Sequence, residues 1–246
     1  MTEPCPCAVV PVYNHPDSVA GVVGRLADLG LPVILVDDGS EPSCRRELER
    51  LASDGHALVT HQHNRGKGAA VRSGLLEAER LGYSHALQVD ADGQHHPDDL
   101  PAFIDAMHQT PHRLLVGYAR YDDSVPRARL YGRYATHVWV WINTLSRRIR
   151  DSMCGVRLYP LAAVNGLLRR HPCGDRMTFD TEVLVRWYWA GGELTNLPVR
   201  VHYPEQGVSH FALWRDNAQI SAMHARLFVA MWPRLPGLLW RHRRQP

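Results

Sequence analysis

Apolar positions in the first half of the chain alternate between two spacings. Short runs at Ala8–Val10, Val33–Val36, Ala57–Thr60, His85–Val89 and Leu114–Gly117 have the length and β-branched content of buried strands. Between them, over Ser18–Leu29, Cys44–Leu51, Ala69–Leu81 and Pro97–Met107, apolar residues return at the period of a helix that lays one face on a core. Asp17 or Ser18 is placed to cap the first helix, Gly30 and Gly82 to close the first and third, and Pro97 to open the fourth. Strands and helices in such alternation need crossover connections. The prediction is an α/β fold with a Rossmann-like, mostly parallel central sheet and helices on both faces.

The second half is less regular. Arg129–Leu145, Leu161–Leu168 and Asp180–Ala190 read as helices, and Cys154–Leu158 and Leu197–His202 as extended segments. From Leu213 the pattern changes: Ile220, Met223, Leu227, Phe228, Met231 and Trp232 fall largely on one side of a helix that Pro233 and Pro236 interrupt. Leu235, Leu238, Leu239 and Trp240 follow, and then the basic run Arg241-His242-Arg243-Arg244. This partitions the chain into an α/β domain over 1–212 and a C-terminal helical extension over 213–246. A stripe of this kind can pack on the domain. Its tryptophan, leucine and terminal arginine together predict instead a seat at the headgroup boundary of an anionic membrane surface.

Composition changes this picture only by exclusion. A chain of 246 residues with 45% hydrophobic and 22% charged residues can bury a substantial core. The formal net charge of +3 is too small for a general nucleic-acid binder, so no nucleic-acid partner is expected. Five cysteines without a CxxC pair argue against a disulfide framework or a structural zinc site. No apolar run reaches the ~20 residues that span a bilayer, and no signal peptide opens the chain. The expected location is the cytoplasm, peripheral on the inner face of the cytoplasmic membrane.

Ligands of such sheets bind beyond the carboxyl ends of the strands, and there the polar residues collect. Pro11-Val12-Tyr13-Asn14, Asp37-Asp38-Gly39-Ser40, His63–Gly68 and Asp90-Ala91-Asp92-Gly93-Gln94 each follow a predicted strand. Alternation after the strand sends Asp90, Asp92 and Gln94 to one side, an oxygen donor set suited to Mg²⁺ or Mn²⁺, although an isolated acidic turn can equally cap the next helix. A sugar nucleotide needs such a cation, because cleavage leaves a diphosphate whose growing charge must be neutralised. Arg65 and Lys67 can pair with phosphate, but Gly66-Lys67-Gly68 lacks the full P-loop pattern.

Taken in order, PVYN, VDDGS, NRGKGAAVRSG, VDADGQHHPDD, DSMCGVRLYP and FDTEVL resemble family 2 glycosyltransferases, particularly the dolichyl-phosphate and polyprenyl-phosphate sugar synthase branch. Gln206–Phe211 resembles the ending of glycosyltransferase-like proteins of bacterial lipid and aryl-polyene pathways. The resemblance covers about residues 7 to 211 and implies a GT-A fold. It implies that Pro11 and Tyr13 contact the nucleoside, that Asp38 with Asp37 recognises the base, and that Asp90, Asp92 and Gln94 hold the metal and diphosphate. Arg120 and Arg129 or Arg133 match places where the family puts basic residues near phosphates, although an exposed helix face also carries arginines. Asp180 matches the general base of relatives that glycosylate hydroxyls, with Glu182 in reserve, while N-capping is the other explanation of Asp180. The implied activity is inverting sugar transfer from a nucleoside diphosphate sugar to a lipid-like or polyprenyl-phosphate acceptor. A sugar-nucleotide pyrophosphorylase is the competing enzyme class, but Pro11–Pro16 has no glycine-rich basic signature. A non-catalytic binding module is disfavoured by the intact acidic set.

Overall fold

The computed structural model describes residues 3–121, 127–202 and 213–244, and side chains within 3–120, 132–202 and 214–241. Gln206–Phe211 lies outside the described residues. The strands are β1 (Pro6–Val12), β2 (Val33–Asp37), β3 (Ala57–Thr60), β4 (His85–Gln88), β5 (Leu114–Tyr121), β6 (Arg157–Pro160) and β7 (Leu194–Val201). They form a seven-stranded sheet in the order β3-β2-β1-β4-β6-β5-β7. Pairings among β1 to β4 are parallel, as is β5 with β7. β6 runs antiparallel to both of its neighbours. Its amino end therefore meets the carboxyl end of β4, with Gln88 opposite Arg157.

Alternate residues of β1 feed two cores, as a strand buried on both faces requires. Cys7 and Val9 join one cluster, and Ala8, Val10 and Val12 the other. Against the second face lie α1 (Pro16–Asp28), α2 (Pro42–Ser53) and α4 (Pro101–Gln109). Against the first lie α3 (Lys67–Arg80), α5 (Arg127–Thr144), α6 (Leu161–Arg170) and α7 (Phe179–Trp189). α3 sits unusually close to the sheet, because a Cβ on Gly74 would stand 2.3 Å from Val9 Cγ1. That approach carries the amino end of α3, and with it Lys67, to the ligand-facing edge. The result is the α/β, GT-A architecture predicted above, with one reversed strand.

Several boundaries differ from the prediction. α1 begins at Pro16 with His15 before it and no side-chain cap; Ser18 Oγ donates instead to the Ala91 carbonyl at 2.6 Å. Pro97–Asp99 forms a single 3₁₀ turn, and the helix restarts at Pro101, whose missing N–H breaks the hydrogen-bond ladder. Gly30 and Gly82 do take the left-handed conformation, with φ of 72° and 88°.

The C-terminal residues form α8 (Leu213–Met231), a 3₁₀ turn at Trp232–Arg234 and α9 (Leu235–Arg244). Met223, Leu227, Met231 and Leu238 are buried in the same cluster as α7 and α5. The extension thus packs on the α/β body, while Trp214, Val229, Trp232, Leu239 and Trp240 stay exposed. Among the described residues no helix is long and apolar enough to cross a membrane.

Candidate active site

The parallel strands deliver their polar ends to one edge, where the loops are bonded to each other. After β1, Asn14 takes φ 57°. Its N–H donates to Ser40 Oγ at 3.1 Å, and its Oδ1 accepts from Glu41 N at 2.8 Å. After β2, Gly39 at φ 74° presses on the next loop, where a Cβ would lie 2.5 Å from the His63 carbonyl carbon. Any side chain at 39 would push these loops apart.

Asp38 is turned into this junction rather than out towards a base. Its buried carboxylate meets His61 Nδ1 at 2.7 Å and accepts from the N–H of Arg65 at 2.9 Å and of Gly66 at 2.7 Å. His61 continues the chain to Ser73 Oγ at 2.9 Å. Asp38 therefore fixes the 61–66 loop through three contacts, two to Oδ1 and one to Oδ2. Asp37 is different: Oδ1 accepts from Ser40 N at 2.8 Å, while Oδ2 is buried without a hydrogen-bond partner and Arg45 Nε stands 3.4 Å away. Buried Pro11 and half-buried Tyr13 are on the neighbouring strand end.

The centre of the edge is Lys67. Its Nζ lies 2.8 Å from Asp90 Oδ1 and 3.1 Å from Asp180 Oδ2. Burial would lower the lysine pKa, but the carboxylates of Asp180 and Asp90 outweigh it and raise it above the ordinary lysine range. Burial would likewise raise the pKa of Asp90, yet Lys67 and then His95 hold it well below the usual carboxylate range. Gly155, just before β6, makes room for Asp90, since a Cβ there would stand 1.9 Å from Oδ2. Asp92 is half-buried, and its Oδ1 accepts from Gln94 N at 3.0 Å.

Asp180 is not the N-cap of α7. The helix starts at Phe179 with Thr178 before it, and the Asp180 side chain points back to Lys67, with Arg157 Nη1 at 3.6 Å and Gln88 Nε2 at 3.5 Å. Arg157 was not anticipated from the sequence. It is fully buried, and its guanidinium donates to the carbonyls of Cys154 at 3.1 Å, Ser152 at 2.8 Å and Asp180. A charge inside the otherwise apolar run Val156–Tyr159 was the available signal, because an arginine on a buried strand must have partners. Tyr159 hydroxyl completes the group by donating to Gln88 Oε1 at 2.9 Å.

Glu182, two residues after Asp180, turns to other partners. Its carboxylate has no exposure and receives Gly174 N at 3.0 Å, Arg186 Nη2 at 2.7 Å and Arg226 Nη2 at 3.0 Å. It is a tie between α7 and α8, and both of its oxygens are engaged by these donors. Arg133 is also engaged, 2.7 Å from Asp151 Oδ2, which further accepts from Ala119 N at 3.1 Å. Burial would raise the pKa of Asp151, but Arg133 and then His137 lower it. Arg120 stands exposed near the end of β5, and the Arg129 side chain lies outside the described residues.

Among the described residues no three His, Cys, Asp or Glu side chains converge as a metal cluster. The donor set nevertheless fits Mg²⁺ or Mn²⁺. It is all oxygen, and Mg²⁺ commonly takes one or two carboxylates with substrate phosphates supplying the rest, while Lys67 Nζ stands 2.8 Å from Asp90 Oδ1.

Comparison with known proteins agrees with this edge. Residues 7–175 match the model of glycosyl transferase family 2. The chain is 27% identical to glycosyltransferase AglJ of Haloferax volcanii over 80% of this chain and 63% of that protein. It is 29% identical to the undecaprenyl-phosphate mannosyltransferase of Micrococcus luteus over 63% of this chain and 62% of that one. It thus spans a little under two thirds of the length of both relatives. Among solved structures, glucosyl-3-phosphoglycerate synthase from Mycobacterium tuberculosis superposes with a TM-score of 0.66 at 14% identity, covering 94% of this chain and 80% of that one. The mannosyltransferase PcManGT from Pyrobaculum calidifontis, in complex with GDP-Man and Mn²⁺, gives 0.59 at 17% identity, covering 91% and 63%. These likenesses concern the fold.

Proposed function

The chain belongs to glycosyl transferase family 2 and is a glycosyltransferase, and from that premise we propose inverting, divalent-metal-dependent transfer of a sugar from a nucleoside diphosphate sugar to a lipid-like, polyprenyl-phosphate class acceptor. The observation that carries the reading is the Lys67-centred group of Asp90 and Asp180 at the meeting point of four strand ends. The undecaprenyl-phosphate acceptor of the Micrococcus relative and the Mn²⁺ of the Pyrobaculum structure support its two finer parts.

In this reading Asp90, Asp92 and Gln94 hold Mg²⁺ or Mn²⁺ against the donor diphosphate. Held there, such a cation would supply charge neutralisation to the leaving diphosphate. The nucleoside lies over Pro11 and Tyr13, with Asp38 and Asp37 on the neighbouring strand end to read the base; Asp37 Oδ2 has no hydrogen-bond partner and Arg45 Nε is 3.4 Å away. Lys67 adds a second positive charge beside the diphosphate, and Arg120 and Arg129 serve phosphate groups of donor or acceptor. An acceptor hydroxyl gives its proton to Asp180, whereas an acceptor phosphate is already ionised and leaves Asp180 to hold Lys67. The protein acts at an anionic membrane surface, through the apolar residues that α5 and α8 leave exposed.

A thermal-shift screen of UDP-, GDP- and dTDP-sugars with and without Mn²⁺ tests donor and metal together, because a ligand that binds the native state raises its midpoint. One donor should raise the midpoint more with Mn²⁺ than without, and Asp92→Asn should remove that difference and abolish turnover with the fold retained. Full turnover of Asp92→Asn under EDTA would sink the metal-dependent mechanism.

A further inference from the structure

A second polar cleft lies where the C-terminal extension meets the α/β body. Its volume is about 480 Å³, and its lining includes Arg65, Gly174, Arg176, Thr178, Gln219 and Arg226. Three separate segments thus each bring one guanidinium to a single cleft: the loop after β3, the loop before α7, and α8.

Two of the three arginines have no carboxylate partner among the described residues. Among the described residues no carboxylate is within ion-pair distance of Arg65 or Arg176; Arg176 Nη1 donates to the neutral Asn64 Oδ1 at 3.2 Å. Asp175, the acid of the lining, is paired with Arg72. Arg226 does have a partner, Glu182, but shares it with Arg186 and remains 58% exposed. The amino end of α7, eleven residues long, opens beside Thr178 and adds the positive end of a helix dipole. Cations that line one cleft repel, and the arrangement is relieved when an anion joins them.

The cleft is also held in fixed register with the Lys67 centre. Ala69 N donates to the Asp175 carbonyl at 2.9 Å. A Cβ on Gly66 would meet the Arg176 stem at 2.5 Å, and one on Gly68 would meet Phe179 Cβ at 2.4 Å. Arg65 and Thr178 each stand two residues before a member of the reactive group, Lys67 and Asp180. On the α8 side, Arg226 in the lining and the exposed apolar Val229 follow one another at helical spacing.

We propose that this cleft is a binding site for a phosphate monoester, with α8 supplying one of its three guanidinium groups through the Glu182 tie. A monoester carries nearly two negative charges near neutral pH and offers oxygens to several guanidinium forks at once. That the ester is the acceptor of the transfer rests on the transferase reading; that the cleft binds it does not.

The test is calorimetric titration of the full chain in EDTA without sugar nucleotide, using inorganic phosphate in one arm and geranyl phosphate below its micellar concentration in the other. Geranyl phosphate should bind, and Arg65→Gln with Arg176→Gln should weaken it roughly tenfold or more, as the loss of charge-assisted hydrogen bonds requires. The unfolding midpoint should hold, since neither residue has an ion-pair partner to leave behind. Tighter binding of geranyl phosphate than of inorganic phosphate assigns the cleft to a lipid ester; equal binding assigns it to free phosphate or a soluble ester. Absence of binding in the parent protein, or equal binding in the double variant, overturns the proposal. A loss seen instead in Arg120→Gln overturns it too, by placing the anion elsewhere. With neither donor nor metal present, failure here leaves the transferase reading standing, and the Asp92→Asn result leaves this one standing.

Discussion

Lys67 places one ammonium between the carboxylates of Asp90 and Asp180, and this contact sets a pH window. Asp90 has its pKa depressed by the fold, so its contribution is present above the unfolded value of about 4 and is lost as pH falls through the folded value. Lys67 has its pKa raised, so its contribution is present below about 10.4 and is lost as pH rises through the folded value. Lys67→Met removes the cation shared by two carboxylates, leaving Asp180 with Arg157 at 3.6 Å, and should cost about 3–5 kcal/mol at neutral pH, as when one partner of a buried pair is removed. Urea unfolding at pH 7 and near pH 3 should show that cost shrinking in acid, where the carboxylates protonate. An equal cost at both would mean that lost packing, not charge, is responsible. Asp90, Lys67 and Asp180 were each visible in the sequence, but in three different motifs. Their union was not, because spacing along a chain does not say which strand ends are neighbours. Asp38 shows the converse: the motif marks it, yet only the fold reveals that its oxygens are used by the 61–66 loop.

At the scale of elements, the strand and helix order was legible from periodicity as far as β5, and the direction of β6 was not. Leu158 and Tyr159 feed opposite cores, a pattern that reads the same in either direction along the strand. The reversal matters because it brings Gly155 against Asp90. Gly155→Ala should displace that carboxylate and reduce the midpoint rise given by Mn²⁺ with donor, while the ligand-free protein still unfolds cooperatively; an undiminished rise would show that Asp90 needs no such room. Glu182 was read as a spare base because it follows Asp180 at the start of α7. Two residues on along a helix is roughly the opposite side, so Glu182 faces α8 instead. Glu182→Gln should destabilise the protein by about 3–5 kcal/mol by leaving Arg186 and Arg226 without a charge partner. Hydrogen exchange should then quicken first in α8; unchanged protection of α8 would show that apolar packing alone seats it.

Across the whole molecule, the C-terminal stripe is divided between core and solvent. Met223, Leu227, Met231 and Leu238 complete the core, and Arg241 holds α9 by donating to the Gly192 carbonyl at 2.7 Å. The sequence left packing on the body and seating on a membrane as alternatives, because a stripe at helical spacing is the same for either use, and only the position of α5 and α7 decides the first. The other side of these helices is not polar, however. Trp139 of α5 meets Phe228 of α8 at 6.2 Å between ring centres, Phe228 meets Trp232 at 6.0 Å, and Trp139 and Trp232 are 41% and 58% exposed. Ile142 and Val138 lie on the same outer side of α5, and exposed Arg147 and Arg148 follow its end. An aromatic ridge flanked by arginine suits the boundary of an anionic bilayer. Deleting the extension cannot test this, since losing several core residues at about 2–5 kcal/mol each exceeds what a domain of ordinary stability tolerates. Trp139→Ser with Trp232→Ser changes the ridge and spares the core. In co-sedimentation with phosphatidylglycerol vesicles the parent protein should bind, and bind less as salt rises. The double variant should bind several-fold less with its unfolding midpoint nearly unchanged, and equal partitioning of the two proteins would take the ridge out of membrane contact.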